Sequence, residues 1–231
     1  MQLAIDIGNT AVKWGVFEGR TLLECGHGVP TELLGHAAHT LLCASGEVPS
    51  ALAAVPRLSA ATPLPIRLDY KTPATLGADR IAAACGAWAL HPGEATLVVD
   101  CGTCITLEYI SADGTYHGGA IMPGLGMKLQ ALHTFTAKLP LLEIASVQKA
   151  PVLGRSTEEC ILAGTLGAAQ MAVAAYVATL KGLAPDLRVV ATGGDAERIV
   201  PPGSEGREHE PHLTLIGLNE IMLMKNMTNE T

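Results

Sequence analysis

Residues 3–7 form a short apolar run, Gly8-Asn9-Thr10 interrupts it, residues 11–17 resume with strand-like character, and Glu18-Gly19-Arg20 turns the chain before residues 21–29. Apolar runs of this length between turn-forming residues predict a three-stranded meander. Residues 31–44 read as a helix, residues 51–55 and 66–70 as short strands, and residues 79–91 as an alanine-rich helix. The opening pattern then returns. Residues 97–100 are apolar, Gly102-Thr103 turns them, residues 105–110 continue, Asp113-Gly114 turns again, and residues 116–121 close a second meander. Asp6 and Gly8 map onto Asp100 and Gly102 at a constant offset of 94 residues.

A period this long is not a solenoid repeat and predicts two related domains, each opening with a meander that carries Asp-x-Gly. His91-Pro92-Gly93 offers the linker, which gives domains over residues 1–92 and 93–231. Beyond Pro123 the pattern predicts a helix over residues 124–138 and a long helix from Ser156. A strand over 187–191 then precedes the turn Thr192-Gly193-Gly194-Asp195, followed by a short helix over 196–200 and a polar loop through Glu210. A strand and helix over 213–224 close the chain, leaving a polar tail. Strands and helices alternate in the second half, so the class is α/β or mixed.

Composition narrows the function classes. The 231 residues carry a formal charge of −7, which argues against a nucleic-acid-binding surface while leaving room for a nucleotide held locally by backbone amides. Aromatic residues are 3% and glycines number 25, so the core is expected from Ala, Leu, Val and Ile with close backbone approaches. Six cysteines scattered through apolar stretches read as reduced thiols of a cytoplasmic protein, and the N-terminus shows no secretory signal. Residues 161–180 are uncharged, but they are mostly Ala and Gly, so they read as a buried or interface helix and no membrane partner is expected.

The segment Asp100-Cys-Gly-Thr-Cys104 admits three chemistries. A redox pair needs its first sulfur at a helix N-terminus, yet a strand-like stretch follows Cys104. A plain turn would account for one copy. A phosphate cradle, with a carboxylate at a strand end beside amides of a glycine turn, accounts for both copies and for the third turn at Thr192-Gly193-Gly194. Elsewhere the histidine pairs His36/His39 and His209/His212 lack a third ligand for zinc.

Asp6-Ile-Gly-Asn-Thr10, Asp100-Cys-Gly-Thr103 and Thr192-Gly-Gly194 resemble the two phosphate motifs and the adenosine motif of the superfamily of actin, the Hsp70 chaperones and the sugar kinases. Within it, Tyr70-x-x-Pro73-x-x-Leu76-Gly77-x-Asp79-Arg80 is similar to the substrate motif of type III pantothenate kinases. Gly119-Ala-Ile-Met-Pro-Gly124, Thr136-Ala-Lys-Leu-Pro140, Gly154-x-Ser-Thr157 and Gly217-Leu-Asn219 also match, so the resemblance runs from residue 2 to about residue 223. It implies two actin-like, ribonuclease H-like domains with mixed sheets flanked by helices. The implied reaction is ATP-dependent phosphorylation of pantothenate to 4'-phosphopantothenate, the first step of coenzyme A biosynthesis.

The residues divide the work as follows. Asp6 is a candidate for Mg²⁺, directly or through water, because that ion takes few protein ligands. The surrounding stretch, Ile7, Gly8, Asn9, Thr10, Ala11, Val12 and Lys13, would meet the phosphates of ATP through amides, a hydroxyl and a charge. Asp79 is the expected general base, with helix capping as its bland alternative. Arg80 suits a bidentate grip on the substrate carboxylate. Tyr70, Gly77 and Ala78 belong to the substrate motif, though a tyrosine closing a strand also fits Tyr70. Thr157 resembles a substrate contact, although Ser156-Thr-Glu-Glu159 also spells a capping box. By resemblance Thr103 faces ATP, and Asp100 binds a monovalent cation, K⁺ or ammonium; the sequence equally allows Asp100 a second Mg²⁺. A homodimer paired through second-domain helices is likewise implied. The competing readings are a kinase for another small hydroxylated substrate and a non-catalytic regulator or scaffold on the same fold.

Overall fold

A computed structural model describes residues 1–59, 61–145, 147, 149–200 and 207–229, with side chains up to residue 225. By internal contacts the chain divides into two compact units. The first comprises Met1–Thr96, Glu108–Gly118 and the chain from His212 onward; the second comprises Leu97–Leu107 and Gly119–Pro211. The linker region lies between a helix ending at Leu90 and a strand beginning at Thr96, and Gly93 turns there with φ +84°.

In the first unit, β1 (Gln2–Ile7), β2 (Val12–Glu18) and β3 (Thr21–His27) form the expected antiparallel meander. A fourth strand, β4 (His39–Ala44), joins it in the order β3-β2-β1-β4. It pairs parallel to β1, with Asp6 opposite Cys43. This corrects the helix expected over residues 31–44. The alanines and leucines there have good helical propensity, but Leu41, Leu42 and Cys43 are wholly buried beside β1, and burial of a strand paired along β1 overrides local preference. Leu3, Ile5, Ile7, Val16, Leu42 and Leu52 form the core beneath this sheet.

The expected strand over 51–55 is also absent; Ser50–Leu52 is a single tight helical turn, and β5 (Arg67–Leu68) is only two residues long. The helix α1 (Ala78–Leu90) follows, buried along Ile81-Ala-Ala-Ala-Cys85. A second sheet has the order β10-β9-β6-β7-β8-β5. It is built from β6 (Thr96–Cys101), β7 (Cys104–Ile110), β8 (Thr115–Pro123), β9 (Arg188–Thr192) and β10 (Arg207–His209) together with β5. β10 lies parallel to β9 inside the region expected to be a loop, while residues 201–206 of that loop fall outside the described residues.

The remaining helices are α2 (Leu125–Thr134), α3 (Thr157–Leu162), α4 (Ala168–Lys181), α5 (Ala196–Ile199) and α6 (Leu213–Asn229). A wider turn at Ala163–Gly167 joins α3 to α4. The continuous helix Thr157–Lys181 is long and apolar enough to cross a membrane, and a third of its most apolar window is buried. Helix α6 replaces the strand and helix expected over 213–224. Leu213, Gly217, Leu218, Ile221 and Met222 recur at helical spacing and are all buried, which a strand could not achieve on one face.

Candidate functional site

Within the first unit, the β1–β2 turn begins where Asp6 leaves the sheet. The Gly8 amide donates to the Ala11 carbonyl, closing the turn, while Asn9, Thr10 and Ala11 are exposed. Ile7 is buried in the core, so only its backbone is on offer; Val12 and Lys13 are half-buried at the start of β2. Gly46 backs the turn so closely that a Cβ there would come within 2.5 Å of the Gly8 carbonyl oxygen. Two backbones thus lie against each other where side chains would keep them apart, a shape suited to an anion approaching the turn.

Asp6 is held from the neighbouring strand. The Cys43 thiol donates to Asp6 Oδ1 at 3.3 Å. Burial raises the Asp6 pKa above its ordinary value, the Cys43 hydrogen bond and Lys13 oppose that rise, and the Asp79 charge adds to it. Burial, reinforced by Asp6, pushes the Cys43 thiol well up, so it is a neutral donor. Asp6, Cys43 and Asp79 are therefore electrostatic neighbours, as a shared site requires.

Asp79 stands in the first turn of α1, half-buried, with Gly77 in the cap position. The capping reading gives way: Asp79 Oδ1 accepts the adjacent Arg80 amide, at 2.9 Å, and the cap position is held by Gly77, which has no side chain to bond. Gly77 also makes room, since a Cβ there would sit 2.6 Å from Asp79 Oδ1. Ala78 is half-buried beside it.

Arg80 is only 9% exposed and forms a two-pronged pair with Glu108, which is fully buried: Nε to Oε1 at 2.7 Å and Nη2 to Oε2 at 2.8 Å. The Tyr116 hydroxyl donates to the same Glu108 Oε2 at 2.6 Å. Burial disfavours the guanidinium charge, but the hydrogen bonds and charge of Glu108 outweigh it and hold the Arg80 pKa above its usual value. Burial, then Glu108, also raises the Tyr116 pKa, keeping it a donor. Tyr70 hydrogen-bonds Arg80, and its ring lies tilted on Tyr116 with centroids 5.9 Å apart. Gly118, at φ +90°, leaves space for that ring, 3.2 Å from where a Cβ would be. The side-on edge of Arg80 thus belongs to Glu108, so a two-donor grip on a ligand would have to use the end-on edge. Glu108 and Tyr116 escaped the sequence reading, although one glutamate inside the apolar strand Ile105–Ile110 is a signal, because a buried carboxylate demands partners.

The second unit holds the other expected cradle. The Gly102 amide donates to the Cys104 carbonyl, and the Gly124 amide to the Thr103 carbonyl at 3.0 Å. A Cβ on Gly124 would come within 2.4 Å of the Gly102 and Thr103 carbonyl oxygens. Gly193, at φ +90°, presses on the other side: its Cβ would lie 2.5 Å from the Cys101 carbonyl oxygen and 2.6 Å from Asp100 Oδ1. The Asp195 amide donates to Cys101 O, so the Thr192-Gly193-Gly194 turn and the Asp100–Thr103 turn are brought together as the sequence motifs imply. The redox reading fails on burial: Cys101 is wholly buried, and burial followed by Asp100 drives its thiol far above the thiolate range.

Thr157 is exposed at the start of α3, beside a depression also lined by Leu132, Gly154, Arg155 and Cys160. The cap is made by Ser156, whose hydroxyl accepts the Glu159 amide at 3.2 Å, while Glu159 accepts the Arg155 amide. Capping therefore leaves the Thr157 hydroxyl out.

The family model for type III pantothenate kinases matches residues 51–179. A type III pantothenate kinase of Phocaeicola vulgatus is 38% identical across 96% of this chain and 98% of its own length. The chain belongs to the type III pantothenate kinase family. Among solved structures, a Baf family transcriptional activator from Campylobacter jejuni superposes with TM-score 0.63 at 19% identity, covering 97% of this chain and 99% of that one. A 2-dehydro-3-deoxygalactonokinase from Sinorhizobium meliloti does so with TM-score 0.55 at 13% identity, covering 98% and 99%. These likenesses bear on the fold alone and show that the chain shares its α/β fold with both.

Proposed function

We propose that this chain transfers the γ-phosphoryl group of ATP to the primary hydroxyl of pantothenate, giving 4'-phosphopantothenate and ADP at the entry to coenzyme A biosynthesis. The observation that carries the reading is the family membership over nearly the whole chain, with Asp6, Asp79 and Asp100 all intact. A scaffold on this fold would have no need of all three.

Phosphoryl transfer asks for positioning and for neutralisation of charge on the equatorial oxygens. Asp79 orients the hydroxyl and accepts its proton as the oxygen attacks phosphorus and the bond to the ADP oxygen breaks. The Gly8–Thr10 turn offers amides to the phosphates, Lys13 adds positive charge, and Thr103 on the second cradle serves ATP in the same way. Mg²⁺, when bound, would supply neutralisation of the phosphate charge. Asp6 fits as its protein-side anchor, directly or through water: the carboxylate has one oxygen bonded by Cys43, and among the described residues no group of three His, Cys, Asp or Glu forms a cage that would hold the ion without the nucleotide. Asp100, beside Gly193, is the proposed seat of K⁺ or ammonium. Tyr70, Gly77, Ala78, Arg80 and Thr157 are the proposed pantothenate contacts.

Residues 1–92 and 93–231 are the proposed domain segments, the enzyme is proposed to work in the cytoplasm, and a homodimer is proposed through the exposed apolar side of α4, which carries Met171 and Tyr176. Purified protein with ATP and Mg²⁺ tests the reaction. Pantothenate-dependent ADP release that needs K⁺ rather than Na⁺, and falls at least about 100-fold in Asp79→Asn, is the expected result. A folded, nucleotide-binding protein that releases no ADP with pantothenate would overturn it.

A further inference from the structure

We infer that Glu108 is a positioning residue for the acceptor substrate: by clamping the side-on edge of Arg80 it turns the end-on edge toward the carboxylate of pantothenate and so sets affinity for that end of the molecule. This rests on the pantothenate reading above and adds to it a residue outside the sequence motifs.

Three observations converge. Glu108 has no exposed surface, and three donors meet on its two oxygens: Arg80 Nε, Arg80 Nη2 and the Tyr116 hydroxyl. Three donors from two directions hold the carboxylate in one orientation. A buried ion pair is a poor device for stability alone, because desolvating both partners consumes most of the attraction. Its use here lies in what it fixes. Arg80 directly follows Asp79, and an unclamped arginine would sample many rotamers at the mouth of the acceptor site. With Nε and one Nη2 hydrogen engaged by Glu108 and a further hydrogen bond made with Tyr70, what the planar guanidinium still offers a ligand lies on its end-on edge, Nη1 with the second Nη2 hydrogen. Tyr70 and Tyr116, tilted against each other at 5.9 Å with Tyr70 over Gly118, wall the pair and keep Glu108 from water.

The assignment separates two effects that a merely structural pair would not. Glu108→Gln keeps the shape and the Tyr116 contact but loses the charge-assisted clamp. KM for pantothenate is expected to rise about tenfold or more, the scale of one charge-assisted bond, with KM for ATP unchanged and kcat at saturating pantothenate within about threefold of the original protein. The alcohol analogue, in which CH₂OH replaces the carboxylate, serves as the second probe, as substrate or as competitive inhibitor. It should bind the original protein more weakly than pantothenate does, and Glu108→Gln should change its apparent affinity by less than about twofold. Tyr116→Phe, which leaves both Arg80–Glu108 bonds in place, should raise KM for pantothenate in the same direction by a smaller factor, and it answers the question if Glu108→Gln does not fold.

Equal losses for pantothenate and its alcohol analogue, or a fall in kcat with KM unchanged, would overturn the inference. So would an original protein that does not distinguish the two acceptors. If the original protein fails to phosphorylate pantothenate at all, the functional reading falls first, and the two failures are told apart by that control.

Discussion

The tightest packing in the first unit is between backbones, and it leads to a quantitative expectation. Helices α1 and α6 cross at glycines. A Cβ on Gly217 would lie 1.8 Å from the Ala82 carbonyl oxygen and 2.8 Å from the Gly86 nitrogen, and a Cβ on Gly86 would lie 2.3 Å from the Leu213 carbonyl oxygen. Carbon and oxygen in van der Waals contact stand roughly 3.3 Å apart, so Gly217→Ala would force α6 back by about 1.5 Å or distort both helices. Overpacking with flexible side chains costs about 1–3 kcal/mol; here the obstacle is backbone inside two helices, and about 3 kcal/mol or more is expected. At about 2–4 °C per kcal/mol for a chain of this size, the melting midpoint should fall by roughly 6–12 °C. The first turn of α1 carries Asp79 and Arg80, so the displaced helix should lose turnover as well.

Gly126→Ala is the matched control. Gly126 lies inside α2 with nothing within 4 Å of its would-be Cβ, and relieving the unfolded-state entropy of a helical glycine should stabilise by about 0.4–1 kcal/mol. Thermal unfolding followed by circular dichroism, with ADP release measured on the same samples, reads both. A Gly217→Ala midpoint within 2 °C of the original, or a larger loss in Gly126→Ala than in Gly217→Ala, would refute the packing argument.

Asp6 should cost stability for the sake of its role. Its folded pKa is raised, so the folded state holds a proton more tightly than the unfolded one, and stability falls as pH rises from the ordinary aspartate value of 3.8 through the raised one, then stays level. Asp6→Asn, measured without nucleotide, should therefore melt higher than the original at pH 7 to 8 and lose that advantage as pH approaches 4, while activity is abolished; an Asn variant that melts lower at neutral pH would contradict the burial account. At the start of α3, Ser156→Ala should destabilise by about 0.5–2 kcal/mol through loss of the cap, whereas Thr157→Val should leave the melting midpoint unchanged and raise KM for pantothenate. The reverse outcome, a destabilised Thr157→Val with unaltered kinetics, would return Thr157 to a purely structural role.

Much of this is legible in the sequence, for a physical reason. Both cradles are local: Asp6 to Thr10 and Asp100 to Thr103 are strand-turn-strand segments whose geometry is set within a few residues, and their repetition at a fixed offset marks them out. Asp100, near the end of β6, meets the Gly193 turn because that turn follows the neighbouring strand β9. Residues 31–44 failed because a parallel strand has no local signature when its leucines and alanines also suit a helix; only pairing with β1 decides it. Glu108 was passed over because its meaning depends on Arg80, 28 residues away, and Cys43 because its partner Asp6 is 37 residues away. Sequence patterns report neighbours along the chain, whereas Asp6 and Cys43 meet across paired strands and Arg80 and Glu108 meet between helix α1 and strand β7.

The division of labour between side chains and backbone explains why so few residues of the site are charged. Phosphate oxygens need donors at close range more than they need cations, and an amide can approach an anion closely only where no Cβ stands in the way. Each cradle meets this need by placing a second glycine against the first turn: Gly46 behind Gly8 in one unit, Gly124 and Gly193 against Gly102 and Asp100 in the other. The carboxylates then contribute what backbone cannot, a fixed negative charge for a cation or a proton, and both are supported in place, Asp6 by the Cys43 thiol and Asp100 by close packing on Gly193. A methyl group added at Gly46 or Gly193 would consequently damage the site without touching any titratable group. Gly193→Ala, strained at φ +90° and 2.6 Å from Asp100 Oδ1, should abolish the dependence of activity on K⁺ together with most of the turnover, while the first unit's Asp6 variant retains its stabilised melting behaviour. A Gly193→Ala protein with the original K⁺ response would show that Asp100 does not work through that contact.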